Sequence, residues 1–90
     1  MLYMIIERYR HGAAPVYDRF AAEGRLLPPG VRFLDSWVVD EPEISQCFQL
    51  MDADGLEPLT QWMQRWSDLV DFELFAVIDS PAAAARTAIE

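Results

Sequence analysis

The chain contains no lysine and no asparagine, and it has a single cysteine and a single histidine. Without asparagine there is no N-glycosylation acceptor. A lone Cys47 cannot form an intrachain disulfide, so a reducing cytoplasm is the expected compartment. One His and one Cys do not build a usual zinc site, and no metal is expected. The four glycines, Gly12, Gly24, Gly30 and Gly55, stand far apart and form no phosphate-cradling loop; no cofactor is expected. The apolar run of MLYMII ends in charge after about six residues, too short for a signal segment or a membrane span. Positive charge is scarce as well. Seven arginines face fifteen Asp plus Glu, for a formal charge of -8 and a pI near 4.4. Nucleic acid and anionic membranes select clustered Lys and Arg, so neither is an expected partner.

What is present is ordinary globular material. Ninety residues make one domain, and 52% hydrophobic against 24% charged residues exclude an extended disordered chain. Leu2 to Tyr9 is β-like, and His11-Gly12 punctuates it. Ala14 to Leu27 reads as a helix: Pro15 suits its first turn, and Val16, Tyr17, Phe20, Gly24 and Leu27 recur at three-to-four spacing. Pro28-Pro29-Gly30 stops it. Val31 to Val39 and Ser45 to Met51 read as strands joined by the polar turn Asp40-Glu41-Pro42-Glu43. After Asp52-Ala53-Asp54-Gly55, with Asp54 as the predicted cap, Leu56 to Ser67 carries the clearest helical stripe: Leu59, Trp62, Met63 and Trp66, followed by Leu69. Val70 to Ile78 is the fourth strand. Asp79-Ser80-Pro81 caps a short Ala-rich helix, Ala82 to Ile89.

The order β-α-β-β-α-β over residues 1–79 matches a ferredoxin-like α+β sandwich, with residues 80–90 as a C-terminal tail. Right-handed crossovers put both helices on one face of a four-stranded antiparallel sheet of order 4-1-3-2. Period-two alternation divides each strand into two sets. One is almost wholly apolar (Leu2, Met4, Ile6; Leu34, Ser36, Val38; Phe48, Leu50; Phe72, Leu74, Ala76, Ile78) and is expected to face the helices. The other mixes apolar and polar: Tyr3, Ile5, Glu7, Tyr9; Val31, Phe33, Asp35, Trp37; Ser45, Cys47, Gln49, Met51; Asp71, Glu73, Phe75, Val77. Such a mixture suits neither bulk water nor a closed core and marks a contact surface. A chain of this size buries only about two-thirds of its unfolded surface. The expectation is a homodimer through the non-helical face.

MLYMIIERYRHG, RFLDSW, CFQLMD and QWMQRWSDLVDFEL together resemble a family of short bacterial proteins known only as a domain of unknown function, within the dimeric α+β barrel group. The resemblance covers roughly Met1 to Ile78. It implies the fold and a bacterial origin, and no catalytic residues.

The candidate site residues follow from the strand phases. Tyr3, Asp35, Trp37 and Gln49 are the expected lining of a ligand cavity on the non-helical face, where aromatics dominate contact surfaces. Glu7 is expected near Asp71 and Glu73 across strands 1 and 4. Enclosed together, one such carboxylate is driven to hold a proton, as acid–base work requires; paired with Arg8, Arg10 or Arg32, it is inert. Three carboxylates alone do not set a metal geometry. His11, beside a turn, is a general base near neutral pH or a solvated side chain. Cys47 reads as a small hydrophobe rather than a nucleophile, and Trp62 with Trp66 as core rather than the wall of a ligand pocket. The expected function is a homodimer binding a small, partly apolar molecule in a sheet-lined cavity. The alternatives are a cofactor-free monooxygenase or isomerase of the barrel type using Glu7, Glu73 or His11, and a purely structural or protein-interaction dimer.

Overall fold

The computed structural model describes residues 1–88. Its elements are β1 (Leu2–Tyr9), α1 (Ala13–Glu23), β2 (Val31–Val38), β3 (Gln46–Ala53), α2 (Leu56–Gln64), β4 (Val70–Val77) and α3 (Ser80–Thr87). The strands form one antiparallel sheet of order β2-β3-β1-β4, the predicted 4-1-3-2 seen from the other edge. This is the ferredoxin-like α+β fold. The tail forms α3, capped by Asp79, whose Oδ1 accepts from the Ala82 amide at 2.8 Å. α3 buries none of its residues. Ile89, the predicted end of this helix, lies outside the described residues.

Helix ends depart from expectation. α1 stops at Gly24, φ 71°, rather than at Leu27. Asp54 does not cap α2; the cap is Gly55, and Asp54 Oδ1 instead accepts from Arg32 at 2.8 Å. No described helix is long and apolar enough to cross a membrane.

The larger correction concerns which side of the sheet meets the helices. In β1 and β3 it is the mixed set. Tyr3, Ile5 and Glu7, with Cys47, Gln49, Met51 and Ala53, are buried beneath Val16, Leu59, Trp62 and Trp66. In β4 the helix side carries Val70, Phe72 and Leu74, as predicted for the last two. β2 changes phase midway: Val31 and Phe33 join the core, and a register shift between Phe33 and Asp35 then puts Ser36 opposite Gln49 and Val38 opposite Cys47. The physical reason is that the inward face need not be the most apolar one. Its polar members line a cavity rather than a packed core.

The apolar members of that set on β1 and β3 (Leu2, Met4, Ile6, Phe48, Leu50) face away from the helices. Across that open side run the pairs Trp37–Phe48, Phe48–Ile6, Leu50–Met4, Met4–Phe75 and Leu2–Val77. Charged pairs frame this band: Arg8–Glu73 and Arg10–Asp71 at one end, Arg32–Asp52 at the other. The chain is a two-layer slab only 17 Å thick in its shortest dimension. Its radius of gyration, 14.8 Å, exceeds the roughly 12 Å of a compact domain of this length.

Candidate functional site

A partly enclosed cavity of about 150 Å³ lies between the helix side of the sheet and the helical layer. Glu7 and Tyr9 on β1 and Cys47 and Gln49 on β3 form its floor, and Ser36 and Val38 on β2 one side. Val16, Tyr17 and Phe20 on α1 cover it, with Trp62 and Trp66 behind. The bulge in β2 matters here, because it turns Ser36 and Val38 toward the cavity and Trp37 away from it.

Glu7 and Gln49 are diagonal neighbours across β1 and β3, since Glu7 faces Cys47 and Ile5 faces Gln49. Gln49 Nε2 donates to Glu7 Oε2. Glu7 is 5% and Gln49 8% exposed. Gln49 Oε1 is buried without a hydrogen-bond partner. Removal from water pushes the Glu7 carboxyl up to about 7; the Gln49 hydrogen bond and the Arg25 charge offset only part of this. Burial also pushes the Cys47 thiol up to about 11, with Glu7 adding to it. The Tyr9 phenol is raised too, again chiefly by burial. The cavity thus holds one group poised to change protonation near neutrality and a thiol that stays protonated there. The raised Cys47 value fits an inert hydrophobe rather than a nucleophile.

Arg25 enters the cavity from the turn after α1, and this turn is strained. Leu26 takes φ 60°, in the left-handed region that a bulky residue seldom occupies. Three donors hold it. Trp62 Nε1 and Trp66 Nε1 both donate to the Arg25 carbonyl, at 2.9 and 3.0 Å, and Arg65 Nη1 donates to the Leu26 carbonyl at 2.7 Å. The tryptophans are core, as their helical spacing predicts, and they also clamp this turn. The Arg25 guanidinium then lies 3.5 Å from the Phe33 ring centroid and 5.0 Å from that of Phe20, within cation–π range of both. Its Nη2 reaches Ser36 Oγ at 3.4 Å. Among the described residues no carboxylate lies within ion-pair distance of it.

Of the residues singled out by sequence, Glu7 and Gln49 meet at this site. The others do not. Tyr3 is buried in the core, its hydroxyl 3.4 Å from Met1 Sδ. Asp35 and Trp37 are exposed on the open side of the sheet. Glu73 faces Ile6, and so lies on the opposite side of the sheet from Glu7, paired with Arg8. The predicted Glu7–Glu73 juxtaposition is therefore absent: neighbouring positions of antiparallel strands share a side only when their registers match, and Glu7 is matched with Phe72. His11 is exposed in the turn before α1. Among the described residues no three His, Cys, Asp or Glu side chains group to hold a metal ion. Arg25 was missed. No periodicity marks it, because a left-handed turn and two indole donors create its position. Glu7 and Gln49 were each expected at a site, but their contact with one another was not: Glu7 was expected beside Asp71 and Glu73.

The family described as a domain of unknown function (DUF3303) matches residues 1–88. The chain belongs to that family. No functionally curated protein matches it. Among solved structures, protein Atu4242 from Agrobacterium tumefaciens is similar at TM-score 0.50 and 14% identity, over 89% of this chain and 96% of the other. B. subtilis LrpC is similar at TM-score 0.55 and 17% identity, over 88% of this chain, which spans only 54% of LrpC. Rv0793 from Mycobacterium tuberculosis is similar at TM-score 0.50 and 14% identity, over 89% of this chain and 98% of the other. At such identities the likeness concerns the fold alone.

Proposed function

We propose that the protein is a homodimeric small-molecule binder, with one ligand cavity in each protomer between the sheet and the helices. The unpartnered Gln49 Oε1 carries this reading. A buried acceptor left without a donor costs about 1–3 kcal/mol, and here it lies in the lining of a cavity, where a bound molecule can satisfy it. A 150 Å³ space is of the size that holds a single small ring. The strained Leu26 turn supports the same conclusion, since strain held in place by several donors concentrates at functional sites.

Dimerisation rests on the open side of the sheet. An apolar centre framed by charge pairs has the anatomy of an interface core with a polar rim, and a second copy presents the same band by symmetry. A second reading of the cavity, proton transfer to a bound substrate in a cofactor-free monooxygenase or isomerase, rests on Glu7 alone. A carboxyl near 7 is matched to acid–base work at neutral pH. Glu73 and His11 have no part in it.

Native mass spectrometry of protein purified from its own host tests the proposal. The expected species is a dimer carrying one small molecule per chain. Val38→Phe, a change at a half-exposed wall of the cavity, is expected to remove the ligand and leave the dimer. Wild-type protein free of any small molecule, and a fragment screen without a hit, would leave a purely structural dimer as the better account.

A further inference from the structure

The chemistry of the cavity narrows the ligand class, a step that rests on the binding reading above. Three properties of the walls bear on it. The lining includes five aromatic side chains, Tyr9, Tyr17, Phe20 and the two tryptophans. Gln49 Oε1 is an acceptor without a donor, on a side chain more than nine-tenths buried. Arg25 is a half-buried cation without a carboxylate partner.

Arg8, Arg10, Arg19 and Arg32 each have an acidic partner, and Arg65 spends a donor on the Leu26 carbonyl. Arg25 has only the long contact to Ser36 and the faces of two phenylalanine rings. Neither ring takes up the guanidinium N–H donors, which grip a carboxylate by two parallel hydrogen bonds. Glu7 feels the Arg25 charge but forms no ion pair with it. Ser36, which Arg25 touches, lies directly opposite Gln49. The cation and the open acceptor therefore sit at the same end of the cavity.

We propose that the ligand is a small aromatic acid bearing a hydroxyl or amino donor, of the hydroxybenzoate class, with its ring among the aromatic walls, its carboxylate on the Arg25 guanidinium and its donor on Gln49 Oε1. An anion at this place also favours the protonated form of Glu7. The titratable and charged groups facing Glu7 are Tyr9 on its own strand, Cys47 on β3, and Tyr17 and Arg25 from α1 and the turn after it. Tyr9 and Cys47 are pushed to higher values by burial and stay neutral at pH 8. Glu7 is then the group in the cavity that takes up a proton on binding.

Calorimetric titration of the full chain with 3-hydroxybenzoate, benzoate and phenol tests this. The expected order is 3-hydroxybenzoate tighter than benzoate, which lacks the donor, and than phenol, which lacks the carboxylate, by about tenfold each. At pH 8 the binding heat is expected to differ between phosphate and Tris buffers in the sense of proton uptake. Arg25→Gln is expected to reduce 3-hydroxybenzoate to the level of phenol while phenol binding is unchanged; Arg25→Lys, which keeps the charge and loses the fork, falls between. Equal binding of phenol and 3-hydroxybenzoate to the wild type would overturn the proposal without any variant. So would binding of other fragments to this cavity with none of the three acting as a ligand, and the binding reading itself would survive that result. If no fragment of any class binds, the cavity reading fails and this one with it.

Discussion

The two sides of the sheet are built from alternate residues of the same four strands, yet they do opposite things. On the helix side a core of Ile5, Met51, Leu59 and Trp62 is closed to water, and polar groups are admitted only around the cavity. On the open side nearly every central position is apolar, and the charges form pairs at the ends. Glu7 and Glu73 make the contrast sharp. They are the same residue type one register step apart on adjacent strands. One is sealed against Gln49 with its proton affinity raised; the other meets Arg8 in the open. Side of the sheet, and not residue type, sets the chemistry.

The contrast can be broken at its strongest point first. Trp62 is 1% exposed and supports both the core and the Arg25 turn. Trp62→Ala is expected to cost about 3–5 kcal/mol in denaturant titration. A loss under about 1 kcal/mol would mean that the helix side is not the core.

Glu7→Gln comes next. The folded carboxyl sits near 7 against an unperturbed 4.5. A raised folded value contributes stability that is fully present below the unfolded value and is lost as pH rises through the folded one. Wild type is therefore expected to lose about 3 kcal/mol between pH 4 and pH 9 that Glu7→Gln does not lose. Urea unfolding at the two pH values measures this, and an equal difference at both would mean that Glu7 is solvated.

Trp37, 51% exposed in the single chain, tests the other side. Trp37→Ala is expected to leave chain stability within about 0.5 kcal/mol and to weaken the dimer by about 2 kcal/mol, as an anchor residue does. Sedimentation equilibrium reads the second figure. The smallest effect belongs to Glu73→Gln, which removes an exposed ion pair and is expected to cost under about 1 kcal/mol in the same urea unfolding.

Element order, strand ends and the tryptophan stripe were legible because each is a local matter of period and punctuation. Leu59, Trp62 and Trp66 repeat at helical spacing wherever the chain folds them. The phase of the sheet was not legible. Alternation yields two sets of residues and says nothing of which is inside. Choosing the more apolar set presumes that a chain covers its most apolar face by itself, and Leu2, Met4 and Ile6 break that presumption. The bulge after Phe33 was equally hidden, since an extra residue leaves no mark in VRFLDSWV. Glu7 and Gln49 were found as polar exceptions within strands, whereas Arg25 depended on a turn that no repeat announces.

Three tryptophans make both sides visible in one experiment. The indole N–H signals of Trp62 and Trp66 report on the cavity, and that of Trp37 on the open side. In a 15N-correlated spectrum of the protein titrated with the fragment that binds it best, the Trp62 and Trp66 signals are expected to shift together with the Gln49 side-chain amide, and the Trp37 signal to stay in place. Dilution through dissociation of the proposed dimer is expected to move Trp37 alone. A ligand that shifts Trp37 and leaves Trp62, Trp66 and Gln49 unmoved would put the binding site between two sheets and contradict the account.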